Sequence, residues 1–117
     1  MQSQTNGFLL KVSYRIAIHQ MPQYEQLFQQ QVLPLIREKK LRLLGIWKTL
    51  VGDVGEYLEL WQFDSLGEFE VKWPSLLEDP RFQELVRTTG PMVKDENFTL
   101  LQPVLKKPAP KNSGRLV

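Results

Sequence analysis

One carboxylate stands out among the 13 acidic residues of this 117-residue chain: Glu59 lies between Tyr57 and Trp61, with Phe63 following, in the run EYLELWQF. A glutamate flanked by aromatic side chains is held away from water, which raises its pKa and suits it to general-base work. The structural alternative is a glutamate near a strand end, or one paired with Lys11 or Arg15. Glu59 is therefore a candidate for catalysis rather than an assigned residue. His19 is the only histidine and sits beside Gln20 and Pro22, where a loop or capping role is the plain reading. One histidine in a chain without cysteine offers no metal-ligand spacing, so no metal is expected. Ser13, Ser65 and Ser75 lack the glycine-flanked elbow and the histidine partner that would activate a nucleophile. Neither a phosphate-cradling glycine loop nor a dinucleotide fingerprint is present, and no cofactor is expected.

The elements that must position these residues are legible from periodicity. Phe8, Leu10, Val12, Tyr14, Ile16 and Ile18 alternate with Leu9, Lys11, Ser13, Arg15 and Ala17, which predicts a first strand. Tyr24, Leu27, Phe28, Val32, Leu35 and Ile36 recur at helical spacing, predicting a helix over about 22–39 with a bend near Leu33. The bend follows from Pro34, which leaves the carbonyl of Gln30 without its donor at a cost of about 3 kcal/mol unless a kink absorbs it. Residues 42–51 and 56–63 read as strands paired antiparallel through the glycines of Gly52-Asp53-Val54-Gly55. Ser65 and Glu68 have capping-box spacing ahead of Leu66, Phe69, Trp73, Leu76 and Leu77, with Pro74 expected to interrupt that helix. Asp79-Pro80 begins a short helix carrying Phe82, Leu85 and Val86, Gly90-Pro91 ends it, and residues 96–102 form the last strand.

The order strand, helix, strand, strand, helix, strand predicts an α+β, ferredoxin-like βαββαβ sandwich: a four-stranded antiparallel sheet with helices on one face. The other face must be polar, covered by a partner, or the binding site itself. Leu58 and Leu60 are taken as helix-facing, which leaves Tyr57, Glu59, Trp61 and Phe63 on the open side. Leu44, Ile46 and Leu50 are read likewise, so Leu43, Trp47 and Thr49 join that open side. Periodicity alone leaves the orientation of the first strand undecided. Aromatic residues bury about 150–250 Å² each, so such a face serves as a dimer interface or a pocket wall.

Gly45-Ile46-Trp47, Gly52, the segment Glu56–Leu66, Asp79-Pro80-x-Phe82 and Leu33-Pro34-Leu35 together resemble the NIPSNAP family, over residues 8–103. The resemblance implies a dimeric α/β barrel in which two ferredoxin-like subunits turn their open sheets toward each other around a cavity. It also matches Tyr14 to a first-strand tyrosine of the family, favouring Leu10, Val12, Tyr14 and Ile16 as the cavity side. Three departures alter the charge of that cavity. Glu59 stands where a histidine is common, Val12 lies near a usual arginine, and Glu68 and Glu70 replace an arginine-rich helix start. The expected ligand-pocket or interface residues are thus Tyr14, Trp47, Tyr57, Glu59, Trp61 and Phe63.

Composition narrows the function classes. The chain is 42% hydrophobic, 24% charged and 10% aromatic, which fits one globular domain. Residues 1–7 read as a loose leader, 8–103 as the domain and 104–117 as a basic Pro- and Lys-containing tail. The pI of about 9.0 comes from that tail, because residues 103–117 hold four basic groups and no acid. Residues 1–102 carry 11 basic against 13 acidic groups, so the body is slightly acidic. An RNA-recognition domain shares the element order, yet Glu56, Glu59 and Asp64 stand where phosphate-binding cations belong, so no nucleic-acid partner is expected. No apolar run approaches the ~20 residues that span a bilayer, no signal-peptide pattern opens the chain, and the absence of cysteine fits a reducing compartment. The expectation is a cytoplasmic homodimer, without membrane insertion, binding a small, largely apolar molecule between two sheets. A cofactor-independent monooxygenase or isomerase, and a dimeric interaction module without ligand, are the alternatives.

Overall fold

Alternating residues from Phe8 onward build an edge-to-edge ladder, and their pairing decides which face is covered. In the computed structural model of the chain, which describes residues 7–105, the elements are β1 (Phe8–Arg15), α1 (Met21–Leu27), α2 (Leu33–Glu38), β2 (Arg42–Lys48), β3 (Glu56–Phe63), α3 (Leu66–Leu77), α4 (Pro80–Thr89) and β4 (Lys94–Leu101). They form one antiparallel sheet of order β2-β3-β1-β4 with helices on one face, the ferredoxin-like α+β arrangement. Of the predicted leader and tail, all but residues 7, 104 and 105 lies outside the described residues. No helix among the described residues is long and apolar enough to cross a membrane.

Three strand limits differ from the periodicity reading. The first strand stops at Arg15 because Ile18–Gln20 turn into a 3-10 helix, the second stops at Lys48, and the last begins two residues earlier, at Lys94. Pro34 is absorbed where the bend was expected. Phe28–Val32 widen into a π-helical turn, and the Leu33 amide donates to the Phe28 carbonyl, so the helical register shifts just before the residue that lacks a donor. Pro74 does not interrupt its helix: α3 runs through it to Leu77. Ser65 caps α3 by accepting from the Glu68 amide at 3.0 Å, while Glu68 reaches back to the Asp64 amide at 2.6 Å. Asp79 caps α4 through the Arg81 amide and binds Lys39 at the end of α2, tying two helix ends together. Gly52 and Gly55 take φ of +124° and +110° in the β2–β3 hairpin, a region that favours glycine.

The face assignment of β3 is the main correction. Tyr57, Glu59, Trp61 and Phe63 lie under the helices, and Leu58 and Leu60 face the open side. The physical reason lies in β1. Directly paired residues share a face, and Tyr14, Val12, Leu10 and Phe8 pair with Tyr57, Glu59, Trp61 and Phe63. Burying the opposite set would have placed Lys11 and Arg15 in the core. Four large side chains also remove far more apolar area from water than two leucines. On β2 a bulge between Leu43 and Gly45 changes the parity. Leu43, read as open-side, pairs with Trp61 on the helix side; Leu44 and Leu50, read as helix-facing, are exposed. Trp47 does face the open side, opposite Leu58, with its ring lying over Gly45.

Candidate functional site

The helix layer covers β3 and β1 closely but leaves the edge strand β4 partly bare, with Phe98 and Leu100 half exposed. Between the sheet and α1, α3 and α4 this leaves a cavity of about 460 Å³. Such a volume is in the range of small-molecule sites. Its floor is made by Val12 and Tyr14 of β1 with Glu59 and Trp61 of β3. Tyr24 and Phe28 form one wall, Trp73 and Leu76 of α3 another, and Phe82, Gln83 and Val86 of α4 lie opposite the sheet. Glu96 and Phe98 of β4 close the remaining side.

Glu59 is the centre of the polar part. Only 7% of it is exposed, and each carboxylate oxygen has a donor. Tyr14 Oη donates to Oε2 at 2.7 Å, and Trp61 Nε1 donates to Oε1 at 3.0 Å. Behind Tyr14, the Tyr24 hydroxyl donates to Tyr14 Oη at 2.7 Å, so two phenol hydrogens run in series toward the carboxylate. Burial pushes the Glu59 pKa up, the bonds from Tyr14 and Trp61 pull it back, and the nearby Glu96 adds a push upward. Burial also raises Glu96. Tyr14 and Tyr24 are raised far above their ordinary range by burial and by the charge of Glu59, so both remain neutral donors. The arrangement can hold a proton on Glu59 or take one there, with the phenols steadying the charged form.

Of the six residues singled out in the sequence, three meet at this cavity: Tyr14, Glu59 and Trp61. Phe63 is core, packed against Phe8, Phe69 and Trp73. Tyr57 donates to Glu25 at 2.6 Å, and Lys48 pairs with the same carboxylate at 2.7 Å, a cluster distinct from the Glu59 pair. Those two bonds, Lys48 first, hold Glu25 below its usual pKa. Trp47 is on the opposite sheet face. Glu59 has no ion pair with Lys11 or Arg15; Arg15 instead clamps Asp53 of the hairpin at 2.6 and 3.0 Å. Sequence reasoning missed Tyr24, Trp73 and Glu96 as cavity residues. Tyr24 and Trp73 carried only a helical-stripe signal, which is equally that of core, and Glu96 carried none. His19 is exposed and does not line the cavity. Among the described residues no group of three or more His, Cys, Asp or Glu side chains is placed to hold a metal ion.

The NIPSNAP family profile matches residues 11–106 of the chain. The chain belongs to the NIPSNAP family. Solved NIPSNAP structures share its fold. A NIPSNAP family protein from Agrobacterium tumefaciens is 19% identical, with a TM-score of 0.81 over 92% of this chain and 94% of that one. An uncharacterized NIPSNAP domain protein from Burkholderia xenovorans is 22% identical, with a TM-score of 0.77 over 87% and 99%. The fold extends beyond NIPSNAP proteins. A Nitrosomonas europaea protein provisionally named an antibiotic biosynthesis monooxygenase matches with a TM-score of 0.65 at 8% identity, over 92% and 100% of the two chains. No curated protein matches the chain in sequence.

Proposed function

We propose that this NIPSNAP protein binds a small, largely apolar molecule in the cavity between its sheet and its helices, one site per subunit. The observation that carries this reading is Glu59, a buried carboxylate with both oxygens hydrogen-bonded, set in the aromatic floor of a 460 Å³ space. Burying an acidic group is costly even when it is hydrogen-bonded, and this one opens onto a cavity rather than a packed core. The site lies on the helix side of each sheet, which replaces the expectation of a cavity between two sheets. The working unit is a cytoplasmic homodimer joined through the open sheet faces, where Leu9, Leu58, Leu60 and Trp47 lie uncovered by helices.

The test is ligand-induced thermal stabilisation with a neutral probe, 1-naphthalenemethanol. Val86 stands at the cavity wall and is 41% exposed, so Val86→Trp fills the space with little cost to the fold. The wild type is expected to gain melting temperature with the probe while Val86→Trp, with an unchanged circular dichroism spectrum, gains none. Equal gains in both proteins reject the site.

The series Tyr24–Tyr14–Glu59 favours a second reading, a cofactor-independent isomerase or monooxygenase, in which Glu59 removes a proton from bound substrate and the phenols stabilise the charge. The shared fold with the Nitrosomonas europaea protein gives it further support. For a substrate that turns over, Glu59→Gln is expected to abolish turnover and spare binding; retained turnover removes this reading.

A further inference from the structure

Resting on the cavity reading above, the geometry points to a ligand class: we propose that the occupant is a lipophilic amine, bound as an ammonium ion between Glu59 and Glu96 with its apolar body against Trp73, Phe82 and Val86. Three observations carry this. Trp61 Nε1 can only donate, and it does so to one oxygen of Glu59 while Tyr14 serves the other, a donor set that fits a carboxylate better than a carboxylic acid. The charged form of so buried a carboxylate is costly without a counter-charge, and no lysine, arginine or histidine lines the cavity among the described residues. A cationic ligand supplies that counter-charge.

Glu96 is the second observation. It stands on β4, separated from β3 by β1 and two residues along the strand from Phe98, which is level with Glu59 through Val12, and it lines the same space. Two carboxylates facing one cavity give it a negative field that repels an anionic ligand and draws a cation. The third is the wall. Trp61, Trp73, Phe82 and Phe98 line it, with Trp61 and Phe98 meeting Trp73 edge to face at 5.1 and 6.5 Å, an aromatic wall of the kind that attracts organic cations. A carboxylate, aromatic faces and the absence of a fixed cation are together the chemistry that recognises an organic ammonium.

The test is a matched series sharing one apolar body, 1-naphthylmethylamine, 1-naphthalenemethanol and 1-naphthoic acid, titrated calorimetrically into the full chain at pH 7 and low salt. The amine is expected to bind about tenfold more tightly than the alcohol, and the acid more weakly than either. Glu96→Gln, on an exposed edge strand where folding is not at risk, is expected to lower amine affinity about threefold and leave the alcohol unchanged. Glu59→Gln is expected to erase the remaining preference, and Val86→Trp to block amine and alcohol alike. If the alcohol matches the amine and Val86→Trp blocks both, the amine proposal is overturned while the cavity reading stands. The acid binding most tightly overturns it as well. If no member of the series binds the wild type, both fall.

Discussion

Glu59 is held by Tyr14 and Trp61 under the helix layer, and its titration ties the site to stability. Burial raises its folded pKa above the ordinary glutamate value of about 4.3 in the unfolded chain. Between those two values the folded state carries more protons than the unfolded one, so unfolding becomes easier as pH rises. The contribution is fully present below the unfolded value and is lost as pH passes through the folded one. Urea midpoints of the wild type are therefore expected to fall, relative to those of Glu59→Gln, from pH 4 to pH 8. Parallel profiles would show that Glu59 is not held in a desolvated site. Glu96 is raised too, and comparison with the single variant separates the two. At this scale the sequence showed Glu59 and Trp61 as unusual, because a carboxylate amid aromatics is visible in one strand, while Tyr14 stood out only through the family resemblance. It did not show what they touch. Tyr24 reaches Tyr14 from another element, and Glu96 reaches the cavity from an edge strand whose eight residues are all exposed.

Among the elements, β1 decided the architecture of the site. Period two divides β3 into Tyr57–Glu59–Trp61–Phe63 and Leu58–Leu60–Gln62, and both sets are apolar enough to pass for a core face. Only pairing with β1, where Lys11 and Arg15 occupy one face, selects between them. The same local view missed the bulge in β2, because an extra residue at Leu43–Gly45 is created by pairing and leaves no mark in periodicity. The capping signals, which do not depend on partners, were sound, since Ser65 and Asp79 cap their helices; the bend at Pro34 takes the form of a π-turn, while the break expected at Pro74 does not occur. Asp79 does more than cap. Its carboxylate accepts from the Arg81 guanidinium at 2.8 and 3.0 Å, from Lys39 at 2.8 Å and from the Arg81 amide at 2.8 Å, and these bonds, the guanidinium first, hold its pKa far below the usual range. Asp79→Ala is expected to lower the urea midpoint more than Asp79→Asn, which keeps the cap acceptor and loses the ion pair. Equal losses would assign the whole effect to the ion pair.

The whole molecule presents two faces with different chemistry. One face of the sheet is packed against helices and encloses the cavity; the other carries Leu9, Leu58, Leu60 and Trp47 among Lys11, Ser13 and Gln62. Pairing two such faces would bury those leucines without disturbing either cavity, so the proposed dimer and the proposed ligand site can be tested separately. Light scattering at micromolar concentration is expected to return twice the 13.7 kDa chain mass, and Leu58→Lys to return the single mass with probe binding retained. A wild type at the single mass would remove the dimer. The fold class was legible from element order because each element announces itself locally. The position of the cavity was not, because it depends on which sheet face the helices choose. A crystal structure of the protein soaked with 1-naphthalenemethanol tests that position most directly. Density for the naphthalene ring beside Glu59 and Trp61, beneath α3 and α4, is expected; density between the open faces of two sheets, with the helix-side cavity empty, would contradict it.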